Sequence, residues 1–79
     1  MKTWKETMLD YIDAFYMEKA EEWKKESDDR KLYSNIVIMT REGIESLDDN
    51  PHVSVCIAMD DYLRRTYKRL DEIYERCTM

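Results

Sequence analysis

Residues 50–77, NPHVSVCIAMDDYLRRTYKRLDEIYERC, contain the longest uninterrupted helical pattern of the chain. Asn50 and Pro51 are typical of a helix start, because asparagine accepts a hydrogen bond from a free first-turn amide and proline brings no amide to the first helical position. The residues that follow repeat at steps of three and four, which places them on one face of a helix. This seam consists of Cys56, Met59, Leu63, Thr66, Leu70, Ile73 and Cys77. We expect a third and last helix over 51–77.

The polar face of the same segment indicates a solvated helix. Acidic residues precede basic ones by four positions, the spacing at which helix side chains form ion pairs. These pairs are Asp60 with Arg64, Asp61 with Arg65 and Glu72 with Arg76. The main basic cluster lies here too, and it comprises Arg64, Arg65, Lys68 and Arg69. Because acids flank this cluster closely, we expect an ion-paired surface and no direct nucleic-acid binding.

The first helix is predicted to begin at a capping box. Thr3 and Glu6 can each accept a hydrogen bond from a free amide at the helix start. An apolar and aromatic series then recurs at helical spacing. Its members are Leu9, Ile12, Tyr16, Ala20 and Trp23. Lys24 and Lys25 lie late in the segment, where the helix dipole favours positive charge, and we expect this helix over 3–26.

A turn and a second helix are predicted to follow. Ser27, Asp28 and Asp29 are N-cap residue types, because their side chains accept hydrogen bonds from nearby backbone amides. A seam at steps of four and three comes next, and it consists of Tyr33, Val37, Thr40, Ile44 and Leu47. We expect the second helix over 30–47, with Gly43 as an alternative C-terminal cap.

Three amphipathic helices in 79 residues predict an all-α fold, a small antiparallel three-helix bundle in a single domain over 1–79. Two alternatives stay open. Without a turn at 27–29 the first two seams fuse, and the resulting long helical hairpin would oligomerise to cover its surplus apolar surface. The runs 36–39 and 53–57 are rich in β-branched residues, which leaves an α-β-β-α arrangement as the other alternative.

Composition predicts a soluble, folded chain. Hydrophobic residues make up 43% and charged residues 39%, with one glycine and one proline, which suits helices better than disorder. No apolar run approaches the roughly 18 residues of a membrane-spanning helix, and the N-terminus lacks a secretory signal pattern. We therefore expect a cytoplasmic protein without membrane contact, in which Cys56 and Cys77 are reduced.

No residue cluster predicts catalysis. His52, Cys56 and Asp60 are spaced by four, but a structural zinc site needs four ligands, with Cys and His the usual ones. Cys77 lies 21 residues beyond Cys56, about 30 Å away by helix rise, and cannot join them. Paired carboxylates occur mainly where helix caps are expected, and a single glycine cannot form a glycine-rich phosphate loop. We expect no enzymatic activity, no metal and no cofactor.

The first helix carries more apolar surface than one seam requires. A second series is rotated from the first, and this aromatic stripe consists of Trp4, Met8, Tyr11 and Phe15. Tyr, Trp and Met are enriched at the cores of protein interfaces, and the chain has six Tyr, six Met and two Trp. We expect the aromatic stripe to bind another protein. The alternative is that it packs against a neighbouring helix of the bundle.

The acidic side chains also indicate the first helix as the region that binds a partner. Eighteen Asp and Glu residues against thirteen Lys and Arg residues give a net charge of −5, which disfavours phosphate binding and favours a basic partner. On the first helix an acidic row is expected beside the aromatic stripe, and it consists of Glu6, Asp10 and Asp13. We expect the partner to be another protein, for example one that binds nucleic acid through a basic groove.

In size and charge, and in no motif, the chain resembles virus-encoded inhibitors of bacterial defence such as anti-CRISPR and anti-restriction proteins. That resemblance implies a non-enzymatic inhibitor that occupies a surface of its partner. One alternative is a structural homo-oligomer whose third helices pair along Cys56, Met59, Leu63, Leu70 and Ile73. Another is a small metal- or ligand-binding protein.

Overall fold

The computed structural model describes residues 1–78, which form three helices that alternate in direction. Helix α1 covers 4–22, helix α2 is Asp28–Glu45 and helix α3 is Val53–Thr78. The predicted all-α three-helix bundle is confirmed. Residues 1–78 contain no strand, so the α-β-β-α alternative is wrong. The two β-branched runs lie inside α2 and α3, where packing overrides their local preference.

A turn ends α1 at Glu22, four residues earlier than predicted. Trp23 has an extended backbone with φ −72° and ψ 102°, and its carbonyl accepts a 2.7 Å hydrogen bond from Arg30 Nε. Ser27 caps α2 by accepting a hydrogen bond from the Arg30 amide at 3.1 Å. A turn therefore separates the first two helices, but it covers 23–27 instead of the predicted 27–29, and α2 begins and ends two residues earlier than the predicted 30–47. The alternative of one long helix over the first half of the chain is wrong. The earlier end lets Trp23 reach the core.

Helix α1 contains a π-helical turn at Asp13–Met17, between α-helical segments Trp4–Ile12 and Glu18–Glu22. The Glu18 amide donates to the Asp13 carbonyl, which is the i→i+5 bond of such a turn. A π turn rotates the chain less per residue than an α turn does, so residues spaced by four stay on one side. The spacing along 3–26 predicts a uniform α-helix, so the π turn is a correction, and its signal in the sequence is the two consecutive steps of four at 12, 16 and 20.

The core lies where the three helices meet and is built from the predicted seams. Its buried members are Ile12, Tyr16, Ala20, Tyr33, Val37, Leu70 and Ile73. Aromatic rings join the helices: Trp23 lies edge-on to Tyr33 at 5.5 Å and to Tyr74 at 5.7 Å. The Lys19 ammonium lies 4.9 Å from the Tyr74 ring centre, a cation–π contact that closes this end of the core.

The predicted start of α3 at Pro51 is two residues early, because α3 begins at Val53. His52 stands before it, and its Nδ1 accepts a hydrogen bond from the Ser54 amide at 3.1 Å. Asn50 instead caps α1, since its Oδ1 accepts from the Trp4 amide at 3.1 Å. Gly43 does not end α2, which continues to Glu45. The predictions that Asn50 caps the third helix and that Gly43 can end the second are therefore wrong, and tertiary contacts assign Asn50 to α1.

Candidate protein-binding surface

The aromatic stripe lies along the side of α1 that borders α3. Trp4 and Met8 are half-buried, whereas Tyr11 and Phe15 are 43% and 54% exposed. Tyr11 is also in contact with α3, since its ring centre lies 5.2 Å from that of Tyr67. The first half of the aromatic stripe therefore packs against the bundle, whereas Phe15 at its other end faces solvent.

Buried aromatic rings hold the exposed ones in place. Tyr11 and Phe15 have ring centres 4.7 Å apart, and Tyr67 behind Tyr11 stacks on Tyr16 at 4.7 Å with an interplanar angle of 5°. Tyr16 is a core residue, so this chain of contacts runs from the core to the surface. A partner that covers Tyr11 and Phe15 therefore meets side chains that are already ordered, which lowers the entropy lost on binding.

A shallow groove of about 220 Å³ lies between α1 and α3 beside Tyr11. Met8 and Tyr11 line one wall, and Leu63 and Tyr67 line the other. Its rim on α3 carries an ion pair that was predicted from the sequence, Arg64 Nε to Asp60 Oδ2 at 3.1 Å. The groove offers an apolar floor with charged groups at one edge.

Helix α3 adds an exposed apolar residue, Ile57, which was not among the predicted binding residues. Ile57 is 66% exposed and precedes Asp60 by three residues, so it lies next to the rim of this groove. We name Met8, Tyr11, Phe15 and Ile57 the recognition surface. A hydrophobic residue outside the regular seam of α3 was the available sequence signal for Ile57.

The acidic row does not lie beside the aromatic stripe, contrary to expectation. Asp13 faces α2, where its carboxylate binds Arg41 Nε at 2.8 Å, while Tyr11 of the stripe faces α3. Asp10 pairs with Lys2 at the surface. Glu6 is exposed. The acidic row and the aromatic stripe therefore lie on different sides of α1, and Asp13 stabilises the fold through its ion pair with α2.

Helix α1 nevertheless presents a strongly acidic outer surface. Residues 4–22 contain six acidic and two basic side chains. Both bases are engaged within the bundle, since Lys5 binds backbone carbonyls after α2 and Lys19 lies over aromatic rings. Glu18 is exposed, has no ion pair among residues 1–78 and follows Phe15 by three residues. Glu18 is therefore the acid that borders the recognition surface, although the sequence analysis did not single it out.

Burial of the tyrosine rings behind this surface changes their acidity. Burial raises the pKa of Tyr67 to about 12, with a smaller contribution from Tyr11. The pKa of Tyr16 is also raised, first by burial and then by the negative charge of Asp71. Burial, and then the negative charge of Asp71, also raises the pKa of Tyr33. The neutral phenol is thus the form that this packing requires.

The residues proposed for pairing of third helices are mainly used within one chain. Leu63, Leu70 and Ile73 are buried, and the last two belong to the core cluster. Cys56 and Met59 at the start of the seam are half-buried. A second copy is therefore not needed to cover the middle and end of this seam.

The candidate metal-ligating residues are dispersed. Within residues 1–78 no group of three His, Cys, Asp or Glu side chains is arranged to hold a metal ion. His52 contacts Ser54, and Cys56 Sγ lies 3.5 Å from the Pro51 carbonyl. Cys77 is at the other end of α3, where its thiol donates to Asp29 at 3.1 Å and this hydrogen bond raises the pKa of the thiol.

In the described part of the chain, no helix combines the length and apolar content of a membrane-crossing segment. Comparisons with protein-family models, with curated proteins and with solved structures find no match to this chain.

Proposed function

We propose that this protein is a non-enzymatic protein-binding module that docks its recognition surface onto a partner protein. The observation that carries the proposal is the exposure of Tyr11 and Phe15, two large aromatic side chains on the outside of a small folded chain. Aromatic anchors with little conformational freedom contribute much of the binding energy at protein interfaces. Met8 lines the same groove as Tyr11, and Ile57 adds exposed apolar area next to the charged rim of that groove.

The charge of α1 favours a basic partner. Glu18 borders Phe15, and Glu6 and Asp10 lie on the other flank of the helix. A partner that covers the recognition surface would meet the aromatic side chains together with the Glu18 carboxylate beside Phe15, and complementary charges speed such an encounter. An acidic inhibitor that covers a basic, nucleic-acid-binding groove is the specific form of the proposal, in line with the resemblance in size and charge to anti-defence proteins.

The π turn supports the same region. Asp13–Met17 contains Phe15, and single π turns within α-helices are frequent at functional sites. The turn keeps Tyr16 in the core while Phe15 projects to solvent.

Affinity capture from the native cell, followed by quantitative mass spectrometry, tests the proposal. The tagged chain should enrich a basic protein, and Phe15→Ala or Tyr11→Ala should reduce that enrichment roughly tenfold or more. Ile38→Ala is the matched control, because Ile38 is a 45% exposed apolar residue on α2 outside the recognition surface. Equal enrichment by the wild type and both aromatic variants would contradict the assignment.

A charge reversal tests the electrostatic part separately. Glu18→Lys should weaken capture of the same partner and reduce its dependence on salt. Asp13 is unsuitable for this purpose, since its reversal would break the contact with Arg41 inside the protein. Unchanged capture and salt dependence in Glu18→Lys would show that the acidity of α1 has no part in binding.

A further inference from the structure

A second apolar surface lies between α2 and α3. This α2–α3 groove has a volume of about 320 Å³. Its lining includes Leu32, Ile36 and Met39 on α2 and Tyr62, Thr66 and Arg69 on α3. Met39 is 70% exposed and Tyr62 is 50% exposed, so the groove is open to solvent along both walls. None of these residues belongs to the recognition surface.

The face around the groove is large enough for a stable contact with a second copy of the chain. Helix α2 has 18 residues, which gives a length of about 27 Å at 1.5 Å per residue. Two adjacent helices, each about 10 Å wide, make a flat face of roughly 500 Å², and a ridged face has more accessible area than a flat one. A biological interface needs about 1,000 Å² in total, or about 500 Å² from each partner, so this face reaches the lower limit for a stable contact.

The charges on this face are arranged so that it can pair with the same face of a second copy. Arg69 is the single charged residue that lines this groove in the described chain, and it has no ion pair among residues 1–78, whereas Arg65 and Arg76 nearby are paired. Glu42 does not line the groove, but it follows Met39 by three residues and so lies at the outer edge of the α2 wall, where it is likewise exposed and without an ion pair in the described chain. A two-fold axis that lies in the plane of this face, midway between Arg69 and Glu42, brings Arg69 of each copy against the partner subunit's Glu42.

We infer that the α2–α3 groove is the interface of a two-fold homodimer. Leu32, Met39 and Tyr62 of the two copies pack against each other, and two Arg69–Glu42 ion pairs fix the register at the rim. Such an interface is isologous, so it closes after two copies and leaves the recognition surface of each free. A chain of this size buries a small core, and the dimer adds buried apolar area that one copy cannot supply.

Sedimentation velocity and light scattering on the purified chain, over concentrations from about 1 μM to about 1 mM, test this inference. The expected mass approaches twice the 9.7 kDa of one chain at high concentration. Met39→Glu should leave the helical circular dichroism unchanged and raise the dimer Kd at least roughly tenfold, because it places an unpaired charge in the apolar contact. Arg69→Glu should weaken the dimer as well, and Arg69→Glu with Glu42→Arg should restore it.

Two variants serve as matched controls. Ile38→Glu introduces the same charge on another face of α2, and Phe15→Glu introduces it on the recognition surface. Both should dimerise like the wild type. A monomer at every concentration would overturn the inference, and so would a dimer that Phe15→Glu or Ile38→Glu disrupts while Met39→Glu does not. Because Phe15 belongs only to the proposed binding site, the two proposals fail independently.

Discussion

Lys5 Nζ donates hydrogen bonds to the Leu47 carbonyl at 2.9 Å and to the Glu45 carbonyl at 3.1 Å. A side chain from the first turn of α1 thus satisfies carbonyls that the end of α2 leaves free. The backbone amide of Lys5 donates in turn to the Asp49 carbonyl at 3.0 Å. One residue therefore joins the start of α1 to the loop that leads into α3.

Replacement of Lys5 by methionine should lower the free energy of unfolding by about 1–2 kcal/mol, because the substitution keeps the apolar stem and removes two charge-assisted hydrogen bonds. Urea denaturation followed by circular dichroism measures this change. Lys2→Met is the control, since Lys2 forms only a surface ion pair with Asp10 and its loss should have little effect. Equal effects of the two substitutions would show that Lys5 does not stabilise the end of α2.

Asn50→Ala should loosen the start of α1 rather than the start of α3. The Trp4 amide would lose its acceptor, and the expected loss of stability is about 1 kcal/mol, as for other cap residues. Hydrogen exchange read by NMR should show faster exchange at the Trp4 amide, with the first amides of α3 unchanged. The exposed neighbour Asp48, replaced by alanine, provides the control. Faster exchange confined to α3 would contradict this assignment of the cap.

Gly43→Ala should stabilise the protein by about 0.5–1 kcal/mol, because alanine restricts the unfolded chain and has a higher helix propensity. Gly43 lies within α2, and beyond the backbone of its own helix turn no atom of residues 1–78 lies within 4 Å of an added Cβ. Thermal unfolding would record a higher Tm. Ala58→Gly, at an exposed position of α3, should produce a loss of similar size. A decrease in Tm for Gly43→Ala would mean that this position needs the freedom of glycine.

Neighbouring aromatic residues of α1 should differ sharply in their effect on stability. Tyr16 is 5% exposed and Phe15 is 54% exposed. Tyr16→Ala should lower the free energy of unfolding by about 3–5 kcal/mol, as core aromatic truncations do, whereas Phe15→Ala should change it by less than about 0.5 kcal/mol. Chemical denaturation measures both. A large loss for Phe15→Ala would place this ring in the core and remove the main support for the recognition surface.

Stability should fall as the pH rises above 10. The pKa of Tyr67 in the folded protein is about 12, so between pH 10 and 12 the unfolded chain loses this proton while the folded protein retains it. Each such tyrosine lowers the free energy of unfolding by up to about 1.4 kcal/mol per pH unit. Urea unfolding at several pH values measures the slope, and Tyr67→Phe should make it shallower. A slope unchanged in that variant would rule out Tyr67 as a contributor.

Amphipathic spacing along the chain was enough to predict three helices and the residues at their centre. Ile12, Tyr33, Val37 and Leu70 were each assigned to a seam, and each is fully buried. Such patterns are reliable because burial of one face is the main source of helix stability in a small protein. The end of α1 was misplaced, since Trp23 leaves the helix in order to pack against Tyr33 and Tyr74.

Local periodicity in the chain is sufficient to predict the helical fold, its core seams and the surplus of aromatic side chains on α1. The packing of the three helices sets the exposure of Phe15, the contact of Asp13 with Arg41 and the capping of α1 by Asn50. Those outcomes depend on which helix lies beside which, and on a π turn that shifts the rotation of one helix relative to its neighbours. Contacts between residues distant in the chain set them, and spacing along the chain carries little information about such contacts.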